Sequence, residues 1–521
     1  DGGSVNALSL KICNKVAITP IPVLTSNTIN VVATSTTILS NSDLSATSTA
    51  QTDLQQTYTL LETPILGNLK KNGTNLVVGN IFTQKDINDG IITYTNTEST
   101  TTSTTFKVDV KNANNGWIPS RTVTINIIPC GSVTTSWNGS AWSNGTPTKT
   151  TAVTFTGNYN STSNLEACSI TINTGINVVV NSGHTFTTNG IVTVNGIGTF
   201  TVNNDAALKQ IDPTVVNIGN IIVKRNSASM VRLDYTAWSS PVSGQQLQSF
   251  SPKTVATRFY QYLYTGTTTP TAYQSVTPTS NFIPGKGYMI RSANDWPTTA
   301  TVFNGQFTGI ANNGIITQSI GLGYNLLGNP YPSPISANEF IIDNGFAKTL
   351  YYWTHTSPAS GGIYPTNNYA SYTLLGGTAS AAGGSIPNNK IQVGQGFFVN
   401  SAGAYTATFQ NEMREDAITT TQFFRESDDS NLVEKNEKHR VWLNLNNGET
   451  PVNQILVGYM QGASENVDDK IDGQTLVTSN TMLYNLINNK EYVIQGKSLP
   501  FSNEDVVKLG LKVVEAGNFE I

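Results

Sequence analysis

SITINTGINVVVNSGHTFTTNGIVTVNGIGTFTVNND, residues 169–205, is a run of short Thr/Val/Ile strands, each ended by Asn-Gly, Asn-Asn or Thr-Gly. Asn173, Asn189, Asn195 and Asn203 close successive segments. Strands this short, with polar corners at regular intervals, predict a small β-solenoid or a tightly turned sheet stack in which each coil buries its face against the next. The rungs are too few to stand alone. Their ends need covers, which WNGSAWSNG at 137–145 supplies through Trp137 and Trp142 and the following domain supplies at the other end. A Trp pair in such a loop can also stack on a sugar ring, but a cap over exposed coil ends is the simpler reading.

Working outward, the 521-residue chain is too long for one core,. Only 12% of its residues are charged and 38% are hydrophobic, with abundant Thr, Ser, Asn and Gly, a balance that suits all-β secreted proteins,. Its net charge is −4 and it has no basic cluster with interleaved aromatics, which removes the cationic footprint that nucleic acids require,. No run of about 18 apolar residues predicts a transmembrane segment. Cys13, Cys130 and Cys168 fit neither a disulfide scaffold nor a zinc pattern,. Cys13 and Cys130 bracket one candidate domain and would close it in an oxidising compartment; isolated buried thiols are the competing reading. Because the chain starts without Met and ends at GNFEI inside a strand pattern, it reads as a piece of a longer precursor.

The expected fold class is all-β: serial β-sandwich domains with a short β-solenoid-like segment. Residues 1–25 read as a linker or the tail of a preceding unit. Residues 26–130 alternate apolar and polar positions between Asn-Gly and Asp-Gly turns, as in an antiparallel β-sandwich. The solenoid-like segment takes 131–208. Residues 209–412 carry an internal duplication: YTAWSSPVSG (235–244), RFYQYLY (258–264) and PGKGYMIRS (284–292) return as NLLGNPYPSPI (325–335), TLYYWTH (349–355) and VGQGFFVNS (393–401). Proline cannot donate to a sheet ladder, so Pro241 and Pro330 mark strands leaving a sheet, and Gly-x-Gly lets a backbone pass close under a neighbour. Two paired sandwich-like units sharing one aromatic core follow. Within NLLGNPYPSPI, Pro330, Tyr331 and Pro332 should turn a core strand out of its sheet rather than build a binding corner. Residues 413–521 read as a charged connector and a truncated C-terminal β-domain preceding a sorting domain.

Two resemblances rest on these motifs. Pro64, Gly67, Leu69, Gly73, Gly79, Phe82, Thr83, Asp86, Ile87, Gly90 and Tyr94 fall in the order of the cadherin-like repeat of chondroitin-sulfate-proteoglycan-type adhesins. That repeat often binds calcium, and Glu62, Asp86, Asp89 and Asp109 are its scattered candidates here. From about residue 130 onward, WSSPVSG, GKGYMIR, LLGNPYPSPI, LYYW, VGQGFFV, ILVGYMQGA and YVIQGKSLPF resemble large surface proteins exported by the type IX secretion system of gliding Bacteroidetes. Leu499-Pro500-Phe501, Leu509-Gly510 and Ala516-Gly517 match the segment that leads into their sorting domain, with Lys508 in place of the usual proline. The resemblance implies an extracellular or outer-membrane cell-surface location, a role in adhesion or gliding motility, and the secretion channel and its shuttle protein as export partners. Surface polysaccharide and other cell-surface proteins are its further implied partners.

The chemistry available is thin. His184, His355 and His439 are far apart and form no ligand spacing, and no Gly-x-Ser-x-Gly elbow accompanies them,. Asp212, Asp234, Asp295, Glu339, Asp343 and Glu412 offer no facing pair of the kind a glycosidase needs,. No catalytic residue and no cofactor is expected, calcium excepted. The loop NVDDKIDG crowds Asp468, Asp469 and Asp472 before a glycine, so it reads either as a polar hairpin tip or as a calcium loop,. The non-enzymatic adhesin segment has one competitor, a carbohydrate-binding module of a secreted polysaccharide-processing protein, with Trp238, Trp296, Trp353 and Tyr288 as candidate glycan-stacking platforms, although these aromatics sit mostly in strand patterns, which points to the core.

Overall fold

The structure is a computed structural model that describes residues 21–48, 52–263, 272–354, 356, 364, 368–381, 383–417, 438–477, 479–514 and 516–521. Cys13, His355, most of the 1–25 segment and most of the charged connector after residue 413 lie outside the described residues. The chain is predominantly β, arranged in discrete sheets that form sandwich-like layers. It divides into two compact units, Asp1–Ser132 and Val133–Ile521.

In the first unit a six-stranded sheet runs Leu44–Thr47, Val23–Val32, Trp117–Ile128, Thr102–Lys111, Thr57–Glu62 and Ile81–Thr83. A four-stranded sheet built on Thr36–Ile38, Ile92–Thr95 and Asn68–Lys71 faces it across a core that includes Tyr58, Phe82, Tyr94 and Phe106. The sandwich is not wholly antiparallel as expected, because Val23–Val32 and Trp117–Ile128 pair in parallel, with Ile29 opposite Ile125. The resemblance motif has a mechanical explanation. Thr83 caps the short helix Gln84–Asn88: its Oγ1 accepts from the Asp86 N–H at 3.0 Å, and Asp86 Oδ2 accepts from the Thr83 N–H at 2.7 Å,. Gly67 has a positive φ of 74°, and a Cβ there would run into the Thr95 carbonyl,.

The second unit opens with the solenoid. Three parallel stacks form its faces: Val133–Trp137, Thr151–Phe155, Ser169–Ile172 and Val192–Val194; then Tyr159–Asn160, Asn177–Val180, Thr199–Val202 and Ile221–Met230; then Leu165–Ala167, Thr185–Thr188 and Ala207–Gln210. Ile170 pairs with Val192, Val178 with Phe200 and Phe186 with Leu208, a repeat of 22 residues on each face. All six residues point into one core, where the Phe186 and Phe200 rings lie 6.0 Å apart. Trp137 and Trp142 meet edge to face at 5.2 Å and pack against that core, so they cap the coil. The far end has no separate cover. The sheet carries on through Ile221–Met230 into the antiparallel strand Thr301–Ala311, and the same core takes in Trp238, Phe250 and Phe307.

The duplication is visible strand by strand. In the first round the corner strand Tyr235–Trp238 pairs with the Gly-x-Gly strand Tyr288–Arg291, which pairs with the aromatic strand Phe259–Tyr262. In the second, Gly323–Gly328 pairs with Gly396–Ser401, which pairs with Leu350–Trp353. A short helix follows each corner, Leu247–Phe250 and Ala337–Asp343. An antiparallel pair flanks each round, Ile221–Met230 with Thr301–Ala311 and Ile316–Ile320 with Tyr405–Phe409.

Alternation along these strands decides the packing. Ala237, Met289 and Tyr262 of one sheet and Leu326, Tyr351, Trp353 and Phe398 of the other form a single shared aromatic cluster. Their sequence neighbours face the opposite way, Trp238, Tyr288 and Ile290 toward the solenoid core and Leu327, Tyr352 and Phe397 toward a second core. The two rounds also exchange contacts. Ser239 N–H donates to Gly394 O at 2.9 Å, and Gly287 N–H donates to Leu326 O at 3.1 Å, so each Gly-x-Gly serves the other round's corner strand. A Cβ on Gly287 would stand 2.5 Å from the Leu327 carbonyl oxygen.

NPYPSP is buried at the junction of solenoid and second round. Asn329 is fully buried, and its side-chain N–H groups reach Ser333 O at 2.8 Å and Ile391 O and Gln392 O at 3.1 Å each. Its Oδ1 accepts from the Tyr331 N–H at 3.0 Å, and the fully buried Tyr331 hydroxyl donates to Gly314 O at 2.6 Å. Arg414, also buried, donates to Ser333 Oγ, Asn313 Oδ1 and Leu208 O at 3.1, 3.1 and 2.6 Å, and its guanidinium lies 4.9 Å over the Tyr331 ring. The final strands pack as two further sheets, Lys438–Asn447, Thr450–Met460, Ile494–Ser498 and Phe519–Glu520 in one, and Met482–Ile487, Lys490–Tyr492 and Leu509–Lys512 in the other.

Replacing Asn329 with Ala strands three carbonyls in a dry site, and the expected loss is about 3–5 kcal/mol. Tyr331→Phe removes one hydrogen bond and should cost only about 1–2 kcal/mol. Urea unfolding followed by tryptophan fluorescence checks both; equal midpoints for Asn329→Ala and the wild type would contradict the assignment.

Candidate functional site

The outward face of the antiparallel pair Ile221–Met230 and Thr301–Ala311 carries an open polar groove. Inward residues Val223, Arg225 and Phe307 are buried, while Lys224, Asn304 and Gln306 are exposed and Asn226 is half-buried. The register sets Lys224 opposite Gln306 and Asn226 opposite Asn304. Together with the solenoid corner at Ser182, Asn203 and Asn204, they line a groove of about 500 Å³. Arg225 lies beneath its floor, ion-paired with Asp205, both almost wholly buried. Desolvation lowers the Arg225 pKa and the Asp205 carboxylate opposes that shift. A second polar groove of about 430 Å³ shares Asn304 and Gln306 and continues past Gln245 and Ser249.

Trp296 sits apart from this groove. It lines an apolar cavity of about 190 Å³ with Met230, Trp238, Ile290 and Phe303, and its indole N–H is spent on Met230 O at 3.1 Å. The other three aromatics singled out in the sequence are buried. Trp238 is 2% exposed, Tyr288 3% and Trp353 7%, so their rings offer no face to a sugar. Trp353 donates to Tyr235 O at 2.7 Å, inside the cluster shared by the two sheets. These four residues do not assemble into a stacking platform, because strand alternation sends them into cores and a cavity.

The acidic loop is closed on itself. Asp472 is buried and accepts from the Asp468 and Gly496 N–H groups at 2.7 Å each. Asp468 accepts from the Ser464 hydroxyl at 3.0 Å, and Asp469 pairs with Lys348 at 2.7 Å on the surface. Desolvation pushes the Asp472 carboxyl up to about 6, against the pull of its two backbone donors, and Asp468 and Asp469 add to the rise. The cadherin-like candidates are likewise taken: Asp86 by Lys71, Asp89 by Lys85, Glu62 by Lys107, and Asp109 by the Ser120 N–H. Among the described residues no group of three or more His, Cys, Asp or Glu side chains is placed to hold a metal ion.

His184 shares a hydrogen bond of 2.7 Å with Ser161 at a solenoid corner, and His439 packs against Phe501 with ring centroids 5.0 Å apart. Asp295 pairs with Lys253, and Asp343 accepts from Gln410. Cys130 and Cys168 are both disulfide-bonded, which corrects the expectation of isolated buried thiols for these two, while Cys13 lies outside the described residues. No helix among the described residues is long and apolar enough to cross a membrane.

Nothing local in the sequence announced the groove. Lys224 and Asn226 lie about eighty residues from Asn304 and Gln306, and only the strand register joins them.

Two family models match the chain. A cadherin-like model covers residues 22–127, and a model described as a domain of unknown function, DUF8693, covers 129–521. No curated protein and no solved structure matches it.

Because Asp472 holds its proton more tightly when folded, its stabilising contribution is complete below about pH 4 and is lost as the pH rises through 6,. Asp472→Asn does not titrate, so its melting temperature should gain on the wild type between about pH 4 and 7. Differential scanning fluorimetry across that window tests this; a constant difference would show that Asp472 does not titrate there.

Proposed function

The chain belongs to the DUF8693 family over most of its length, and on that premise we propose that it is a non-enzymatic adhesin segment of the cell surface or secreted fraction. Its β-domains act as stalk and interaction modules, and the protein that carries it is a type IX secretion substrate of a gliding Bacteroidetes bacterium. The observation that carries the adhesive reading is the cadherin-like domain at 22–127, set ahead of a multidomain all-β body. Each acidic candidate in the cadherin-like domain and the 466–473 loop has a partner from its own chain.

The export route rests on the motifs Leu499-Pro500-Phe501, Leu509-Gly510 and Ala516-Gly517. Under this reading the secretion channel and its shuttle protein are transient partners, and other cell-surface proteins or surface polysaccharide are lasting ones. Extracellular or outer-membrane display, and a contribution to gliding, follow from the same reading.

Expression of the epitope-tagged full-length protein in a gliding Bacteroidetes host, with the type IX channel intact or deleted, tests the proposal. Protease-accessible protein at the surface or in the medium only when the channel is intact is the expected result. Equal surface exposure in both strains would overturn the export route.

A further inference from the structure

We propose that the groove across the Ile221–Met230 and Thr301–Ala311 strands binds a neutral, hydroxyl-rich polysaccharide. The inference deepens the interaction-module part of the adhesive reading by naming the ligand class, and it stands independently of the export route.

The ligand class follows from elimination by chemistry. Every lining side chain is polar, and Gly305, which faces inward toward the Arg225 carbonyl and the Phe250 ring, contributes backbone alone. An apolar peptide anchor therefore has no pocket to enter, whereas peptide recognition in a groove draws most of its affinity from such anchors. No carboxylate lines the groove, which excludes a cation as its resident. Lys224 is its single lining cation, and the nearby Arg225 charge is already matched by Asp205, so a polyanion would find too little positive charge. What remains is an array of amide groups that can both donate and accept, which is the capacity that sugar hydroxyls match.

The array is also geometrically fixed. Lys224 faces Gln306 and Asn226 faces Asn304, two cross-strand pairs on one sheet face. Neighbouring strands stand about 4.8 Å apart and alternate residues about 6.8 Å apart, so four polar heads form a lattice whose bases cannot shift. Asn204 anchors the corner beside them by accepting from the Asn226 N–H at 2.9 Å. The adjoining groove that shares Asn304 and Gln306 lengthens the path along the surface, as a chain of linked sugars requires. Binding is expected to be weak and extended, built on several hydrogen bonds rather than on one anchor.

Affinity gel electrophoresis of the whole chain in gels containing laminarin, hydroxyethyl cellulose, xyloglucan or polygalacturonate tests the proposal. Retardation by at least one of the three neutral polysaccharides is expected. The Asn304→Ala/Gln306→Ala double variant, altered only at exposed positions, should keep its melting temperature and lose roughly tenfold or more in affinity. No retardation by any neutral polymer, undiminished retardation of the double variant, or retardation by polygalacturonate alone would each overturn it. Equal surface exposure with and without the channel alongside intact polysaccharide binding would remove the export reading and leave this one standing.

Discussion

The side-chain amide of Asn329 sits at the point on which the second unit depends. A strand that leaves a sheet inside a protein exposes carbonyls that have lost their ladder partners, and water cannot reach them there. Pro330, Pro332 and Pro334 make the turn stiff but bring no donors of their own. Asn329 answers with contacts to Ser333, Ile391 and Gln392, and Arg414 answers with contacts to Leu208, Ser333 and Asn313. Burial lowers the Arg414 pKa to about 10, yet it remains a cation at neutral pH, held by neutral acceptors and the Tyr331 ring,. Asn411 does the same for the solenoid's last rung through Gln210 O at 3.0 Å. One polar knot thus joins the coil, the corner and the segment after the second round.

The duplication adds a second constraint. Each round's Gly-x-Gly lies against the other round's corner strand, so neither sheet is complete without its twin. The shared cluster of Tyr262, Tyr351, Trp353 and Phe398 fills the space between them, and its rings meet edge to face, as Tyr262 and Phe398 do at 5.0 Å,. Mutual completion of this kind makes the pair a single folding body, which suits a chain in which only 12% of residues are charged.

Much of this was legible in the sequence. The solenoid declared itself because inward Ile, Val and Phe recur between Asn corners, and the duplication because three motifs return in the same order. The cadherin-like motif was legible because its Thr83 and Asp86 form a local capping box. What the sequence hid is long-range. Arg414 meets Leu208 across about two hundred residues, and the parallel pairing of Val23–Val32 with Trp117–Ile128 joins opposite ends of the first unit. The aromatics were ambiguous for another reason. A strand tryptophan reads the same whether its face is packed or wet, and only the stacking of sheets sends Trp238 and Trp353 to separate cores. The acidic loop was ambiguous in the same way, since Asp472 looks like a ligand until Gly496, twenty-four residues on, is seen to donate to it.

These constraints also explain where an interaction surface is free to form. The two sheets of the duplication spend both faces on cores, and the solenoid spends its interior on the same packing. The outward face of the Ile221–Met230 and Thr301–Ala311 pair is spared, because its inward residues Val223 and Phe307 already anchor it. Lys224, Asn226, Asn304 and Gln306 are therefore held by a rigid base without contributing to the core. Substitutions at the exposed positions Lys224, Asn304 and Gln306 act on the surface with little cost to the fold,.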